Sequence, residues 1–137
     1  MSGRFGRSQY WSAGSGDNRL AINRLQQQDT VDEAAVDRFL ADREVPIVEG
    51  RQVTFLFRGE ADEVHLAQRI LGLPGRLPMR PVSGTTLWHI VLKVPEGSRI
   101  NYQLEVRRGD DLARLNDPLN PKLSHSPFGS SSVCFAY

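Results

Sequence analysis

The sequence predicts a mainly β protein, a β-sandwich led by a short helical segment. Three observations carry this. From residue 47 onward apolar residues recur at every second position in several short runs. Gly, Pro, Asn and Asp clusters separate these runs at spacings of roughly 8–15 residues, the rhythm of a sandwich. The clear helical period lies ahead of them, at about 30–43.

Taken in order, residues 1–17 are rich in Ser, Gly and Arg, with Tyr10-Trp11 as an apolar pair. They offer little surface to bury and predict a flexible tail, or a docking tail anchored by the aromatic pair. Residues 18–28 read as a short helix through Ala21, Ile22 and Leu25. Thr30 and Glu33 have the spacing of a capping box, with hydroxyl and carboxylate each taking a backbone N–H. Ala35, Val36, Phe39 and Leu40 form one apolar stripe, and Pro46 closes the helical region. The stripe is expected to pack on the body of the same domain. The division is thus a tail at 1–17, a helical segment at 18–44 and a β domain at 45–137.

In the β part, Val53, Phe55 and Phe57 alternate with Thr54, Leu56 and Arg58, and Val64 and Leu66 resume the run after a break at 59–62. Gly72 to Pro81 holds two glycines and three prolines and reads as a loop with a short edge strand near Met79. Trp88, Ile90, Leu92 and Val94 mark the best strand, and a turn at 95–98 joins it to its partner. There Ile100, Tyr102, Leu104 and Val106 face inward. Residues 109–129 read as a long polar loop, with Ser130 to Ser132 turning into a last strand at 132–137. On that strand Val133, Phe135 and Tyr137 are assigned to one face. The chain stops on a strand, as expected of a chain cut at a domain boundary.

Length and composition narrow the function classes. A chain of 137 residues suits one domain and can bury about two-thirds of its unfolded surface, so it needs no disulfide or metal staple. With 17 basic against 16 acidic residues, the net charge of +1 argues against bulk nucleic-acid binding. Apolar runs are too short for a helical membrane span, and no signal core is visible, which points to the cytoplasm. Cys134 stands alone, so it has no internal disulfide partner, and it reads as a small packed strand residue.

The motifs of several chemistries do not occur. There is no Gly-x-Ser-x-Gly elbow, phosphate loop or dinucleotide fingerprint. His65, His89 and His125 are far apart in sequence without metal-ligand spacing, and His65 and His89 fall at outward, solvated strand positions. The carboxylates Asp29, Asp32, Glu33, Asp37, Asp42 and Glu44 are spread over a solvent face of the helix. No catalytic residue, metal or cofactor is assigned.

One stretch is more specific. Leu87-Trp88 opens a strand ending in Val94-Pro95-Glu96-Gly97, followed by Ile100-Asn101-Tyr102-Gln103-Leu104-Glu105-Val106. Then come Asn116-Asp117-Pro118-Leu119-Asn120-Pro121 and Pro127-Phe128-Gly129-Ser130-Ser131-Ser132-Val133. With Val48-Glu49-Gly50 and Phe57-Arg58-Gly59-Glu60-Ala61, this order resembles the immunoglobulin-like early-set domains of carbohydrate-binding-module family 48. It is more similar still to the N-terminal domain of enterochelin-esterase-like α/β-hydrolases, over about residues 30–137. The resemblance implies a non-catalytic N-terminal module that shapes the substrate entrance of a serine esterase or supports assembly. The nucleophile, acid and histidine of such an enzyme would lie in a following domain.

Glycan-binding relatives of that family carry paired tryptophans, a lysine on the strand after the hairpin and an asparagine near the last strand. Here the loop after Leu66 has Ile70, Leu71 and Leu73, and the loop before Asp117 has Leu112 and Leu115. Gln103 stands at the lysine position and Ser131 at the asparagine position. Carbohydrate is therefore disfavoured, though a glycan-binding module remains an alternative. The ligand-contact candidates are Gln103, Asp117 and Asn120. For Asp117 and Asn120 the competing role is to hold a long crossing loop, because the prolines behind them favour extended geometry and their side chains can bond loop backbone. The implied partner is a C-terminal hydrolase domain, if the chain is a fragment, or a separate protein, with homo-oligomers also open. Nucleic acid and membrane are not expected. A free-standing interaction module would use the 30–43 helix or a strand face bearing His89, Lys93, Gln103 and Glu105.

Overall fold

The computed structural model describes residues 11–12, 20–41, 43–68, 75–95, 97–127 and 129–136. Two antiparallel sheets face one another, and two helices cover the outer face of one of them. The first sheet runs β1 (Trp11–Ser12), β7 (Leu87–Lys93), β3 (Gln52–Arg58) and β2 (Ile47–Glu49), with β6 (Arg80–Pro81) also paired to β7. The second runs β10 (Leu123–Ser126), β11 (Gly129–Phe135), β8 (Arg99–Arg108), β4 (Glu63–Gln68) and β5 (Arg76–Pro78), with β9 (Asp111–Leu115) also on β8. The strand near Met79 is two short strands. β5 pairs β4 in one sheet and β6 pairs β7 in the other, so the chain changes sheets at Met79.

The alternating residues build the core between the sheets. Val53, Phe55 and Phe57 of β3 and Ile90 and Leu92 of β7 meet Val64 and Leu66 of β4 and Ile100, Tyr102, Leu104 and Val106 of β8. The Phe55 and Tyr102 rings meet edge to face, 4.8 Å between centroids, a favoured aromatic geometry. Trp88 packs at the margin of this core and donates from its indole to the Gly59 carbonyl.

The opposite face of β3 and β7 is also buried. Leu56, Leu87 and Val91 form a second apolar cluster with Ala21, Ile22 and Leu25 of α1 (Ala21–Gln26) and Ala35, Val36 and Phe39 of α2 (Glu33–Leu40). The helical stripe thus packs on the β body. Glu49 accepts the backbone N–H of Ala21 at the start of α1.

Several expectations are corrected. Asp32, not Thr30, caps α2, its carboxylate accepting the Ala35 N–H at 2.9 Å. Glu33 is therefore free to leave the helix. It accepts from Arg58 and from the backbone and hydroxyl of Thr86, while Arg58 also pairs with Asp37. These two carboxylates clamp α2 to the first sheet and are not part of a purely solvent face. Asp42 lies outside the described residues. The turn preceding β7 approaches the same helix start so closely that a Cβ on Gly84, at φ +82°, would stand 2.7 Å from the Val31 carbonyl oxygen.

The 109–129 loop contains β9 and β10. Gly109, at φ 61°, opens a two-residue connection between Arg108 and Asp111. On β11 the inward face is Ser132, Cys134 and Ala136, because Ser132 and Cys134 stand opposite the inward Tyr102 and Ile100. Phe135 faces out and is 40% exposed. Val133 and Phe135 thus share the face turned away from the core between the sheets, opposite Asn101 and Arg99. Tyr137 lies outside the described residues. So do residues 1–10 and 13–17 of the expected tail and 18–19 of the helical segment, whereas residues 11–12 are strand, in register with Leu92 and Val91.

Candidate functional site

β8 changes neighbours along one edge, and the site follows from that change. Its first part pairs with β11 as far as Tyr102 opposite Ser132. Its second part pairs with β9 from Leu104 opposite Leu115. Gln103 sits at the break. β9 and β11 part company there, and a groove of about 330 Å³ opens on the outer face of the second sheet. Outward alternation on β8 sends Asn101 and Gln103 into it. Ser130 and Ser131 line it from β11, Ser124 from β10, Arg114 from β9 and Gln68 from β4.

Hydrogen bonds hold this lining. The Gln103 amide donates to Asn116 Oδ1 at 3.0 Å and to the Ser130 carbonyl at 3.2 Å. Asn116 in turn donates to Ser130 Oγ at 2.9 Å, and Asn101 donates to Ser131 Oγ at 3.3 Å. Arg114 lies 3.4 Å from Glu105, which also pairs with Arg76. Glu105 is thus shared by two guanidiniums, and the groove presents amides and hydroxyls beside the partly balanced Arg114.

Of the three ligand candidates, only Gln103 lines this groove. Asp117 and Asn120 are 3% and 4% exposed and belong to a polar network enclosed behind it. Tyr102 donates its phenol proton to Asp117 Oδ2 at 2.6 Å, and Asp117 Oδ1 accepts the Leu119 N–H. The Asp117 N–H donates to Ser132 Oγ at 2.7 Å. Asn120 donates to the Tyr102 oxygen and the Val133 carbonyl and accepts from the Lys122 N–H, all at 3.0 Å. These bonds pin the 116–122 loop to β8 and β11, which is the loop-holding role. Burial pushes the Asp117 carboxyl up against the lowering effect of its Tyr102 and Leu119 donors. Burial and the neighbouring carboxylate push the Tyr102 phenol far above its ordinary value.

A second cleft, of about 570 Å³, lies between the chain around β2 and the 119–122 turn. Ile47, Val48, Leu119, Val133 and Phe135 give it apolar walls, with Arg43, Glu44 and Lys122 among its polar lining. Asn120 and Cys134 also line it. Burial pushes the Cys134 thiol up to about 11, which suits a packed residue.

The histidines are not brought together. His65 is half-buried on β4 beside Glu63, Arg76 and Glu105, and burial lowers its pKa. His125 is exposed on β10, in register with Ser130, and no hydrogen bond joins a histidine to a serine among the described residues. His89 corrects the expectation of a solvated position. It is 2% exposed, because the helix pair covers the sheet face on which it stands. His89 and Lys93 also belong to the other sheet from Gln103 and Glu105, so those four do not form one strand face. Ser130 to Ser132 lie within β11 itself. Among the described residues no group of three His, Cys, Asp or Glu side chains is placed to hold a metal ion. Ile70, Leu71, Leu73 and Phe128 lie outside the described residues.

No protein-family model matches the chain, and no curated protein matches it in sequence.

Proposed function

We propose that this chain is a non-catalytic accessory module of an enterochelin-esterase-like serine esterase, built on an immunoglobulin-like early-set sandwich and working in the cytoplasm. It packs beside a hydrolase domain and shapes the entrance through which an ester substrate passes, or supports assembly. The observation that carries the reading is the placement of the polar chemistry. Asp117 and His89 are enclosed and Cys134 is buried, whereas the open groove presents amides, hydroxyls and an arginine that shares Glu105 with Arg76. Such a surface holds and orients a partner or ligand through hydrogen bonds. No helix among the described residues is long and apolar enough to cross a membrane.

The test begins with the natural reading frame. The proposal expects it to continue past Tyr137 into a Gly-x-Ser-x-Gly domain. Ester hydrolysis by that full chain should then change in KM when Gln103 is replaced by Ala, with the hydrolase domain intact. A frame closing at Tyr137 would overturn the esterase reading, as would identical kinetics for full chains with and without residues 1–137.

A glycan-binding module is the second reading. The observation favouring it is that Gln103 and Ser131, at the family's sugar-contacting positions, both line the same groove. Retention on maltodextrin resin, competed by soluble oligosaccharide and lost in Gln103→Ala, would support it. Absence of binding at millimolar oligosaccharide would remove it.

A further inference from the structure

His89 occupies a place that its chemistry does not suit. It stands between Leu87 and Val91 on one face of β7 and opposite Leu56 of β3, and all three neighbours belong to the cluster beneath the helices. Both of its ring nitrogens lack a hydrogen-bond partner, and so does the Thr54 hydroxyl on the same buried face. A neutral imidazole tolerates such a site at some cost. An imidazolium would bring a full charge into it, offset in part by the Arg80 carbonyl. We propose that His89 is an acid-sensitive latch: when its imidazole takes up a proton, α1 and α2 release from the outer face of the first sheet while the core between the sheets stays closed.

The charged groups around His89 offer its cation no relief. Arg80 of β6 lies in register with it, Lys93 follows on β7, and Arg58 ends β3. On the helices, Arg24 belongs to α1 and Arg38 to α2, while Glu33 and Asp37 of α2 are both engaged by Arg58. The Arg80 carbonyl favours the charged form and outweighs the repulsion from the Arg80 guanidinium. Burial is the largest influence and lowers the imidazole pKa. The release is local because the helices meet the β body through the second cluster, whereas the core between the sheets contains neither His89 nor any helix residue.

The direction with pH follows from linkage. A histidine whose closed-state pKa is depressed binds its proton more readily once opened. The closed state therefore keeps its full stability above about pH 6.5 and loses it as pH falls toward the depressed value. If the closed imidazole stays neutral down to pH 5, opening becomes up to about 30-fold more favourable than at pH 7.5.

The experiment is amide hydrogen exchange at pH 7.5 and 5.0, corrected for intrinsic rates, on the wild-type chain and on His89→Phe. The latch predicts that protection of Val36 and Phe39 falls by up to that factor in the wild type and not in the variant. Protection of Leu104 and Val106 on β8 should be unchanged in both. Equal loss of protection in helices and β8 would overturn it, because His65 or global unfolding would then be responsible. Persistence of the helical loss in His89→Phe would do the same. Should that variant fail to fold, imidazole shifts of the wild-type chain decide. A neutral ring while the helices are protected supports the latch, and titration near 6.5 with the helices still protected refutes it.

Discussion

Replacing Tyr102 by Phe isolates the network that holds the 116–122 loop. The ring still fills its place against Phe55, so the apolar core is conserved and only the hydroxyl is lost. That hydroxyl donates to the buried Asp117 carboxyl at 2.6 Å and accepts from Asn120 at 3.0 Å. Asn120 keeps its Val133 partner and Asp117 Oδ1 keeps the Leu119 N–H, whereas the buried Oδ2 loses its Tyr102 donor. The loss is one bond to a charged acceptor plus one neutral bond, together about 2–4 kcal/mol. The loss should also depend on pH. Asp117 has its folded pKa raised by burial, so its ionisation works against the fold. The stability linked to its protonated form is fully present below the unfolded value and is lost as pH rises through the folded one. The Tyr102 bond opposes that rise, so the variant should suffer more at pH 7 than at pH 4. Urea unfolding followed by tryptophan fluorescence at both pH values is the assay. A deficit below about 0.5 kcal/mol at pH 7, with unchanged m, would refute the claim that this network pins the loop.

Other outcomes follow from the same contacts. Asp32→Ala should cost about 1 kcal/mol through loss of the α2 cap, while Thr30→Ala should be close to neutral in the same urea titration. Gly84→Ala should lower stability by about 1–3 kcal/mol, read as a lower thermal midpoint, because it combines a positive φ with a clash on the Val31 carbonyl. Cys134 should resist iodoacetamide at pH 8 in the folded chain and react at once in denaturant, since burial both hides the thiol and holds its pKa near about 11.

Where one face of a strand is apolar and the other wet, the sequence was legible. β8 is the clearest case, with Ile100, Tyr102, Leu104 and Val106 buried in strict alternation. β9 was not legible because it lies exposed beside β8. Asp111 to Arg114 present no apolar face, and Leu112 is 58% exposed. The Gly109-Asp110 pair between Arg108 and Asp111 was the available hairpin signal. Which face of β11 turns inward was not legible, because Ser132, Cys134 and Ala136 fill the inner side while the large Phe135 stands outside. His89 was misplaced by a rule that assumes one wet sheet face, whereas the helices dry the outer face of β3 and β7 and the second sheet dries the inner one. The groove escaped sequence reading for another reason. It arises where β8 exchanges one neighbour for another at Gln103, a matter of register that no motif records.

That this chain binds and does not react is tested most directly by ester turnover. The purified 137-residue chain should release p-nitrophenol from p-nitrophenyl butyrate no faster than buffer at pH 7.5. Turnover above buffer that disappears on Ser131→Ala or His125→Ala would contradict it.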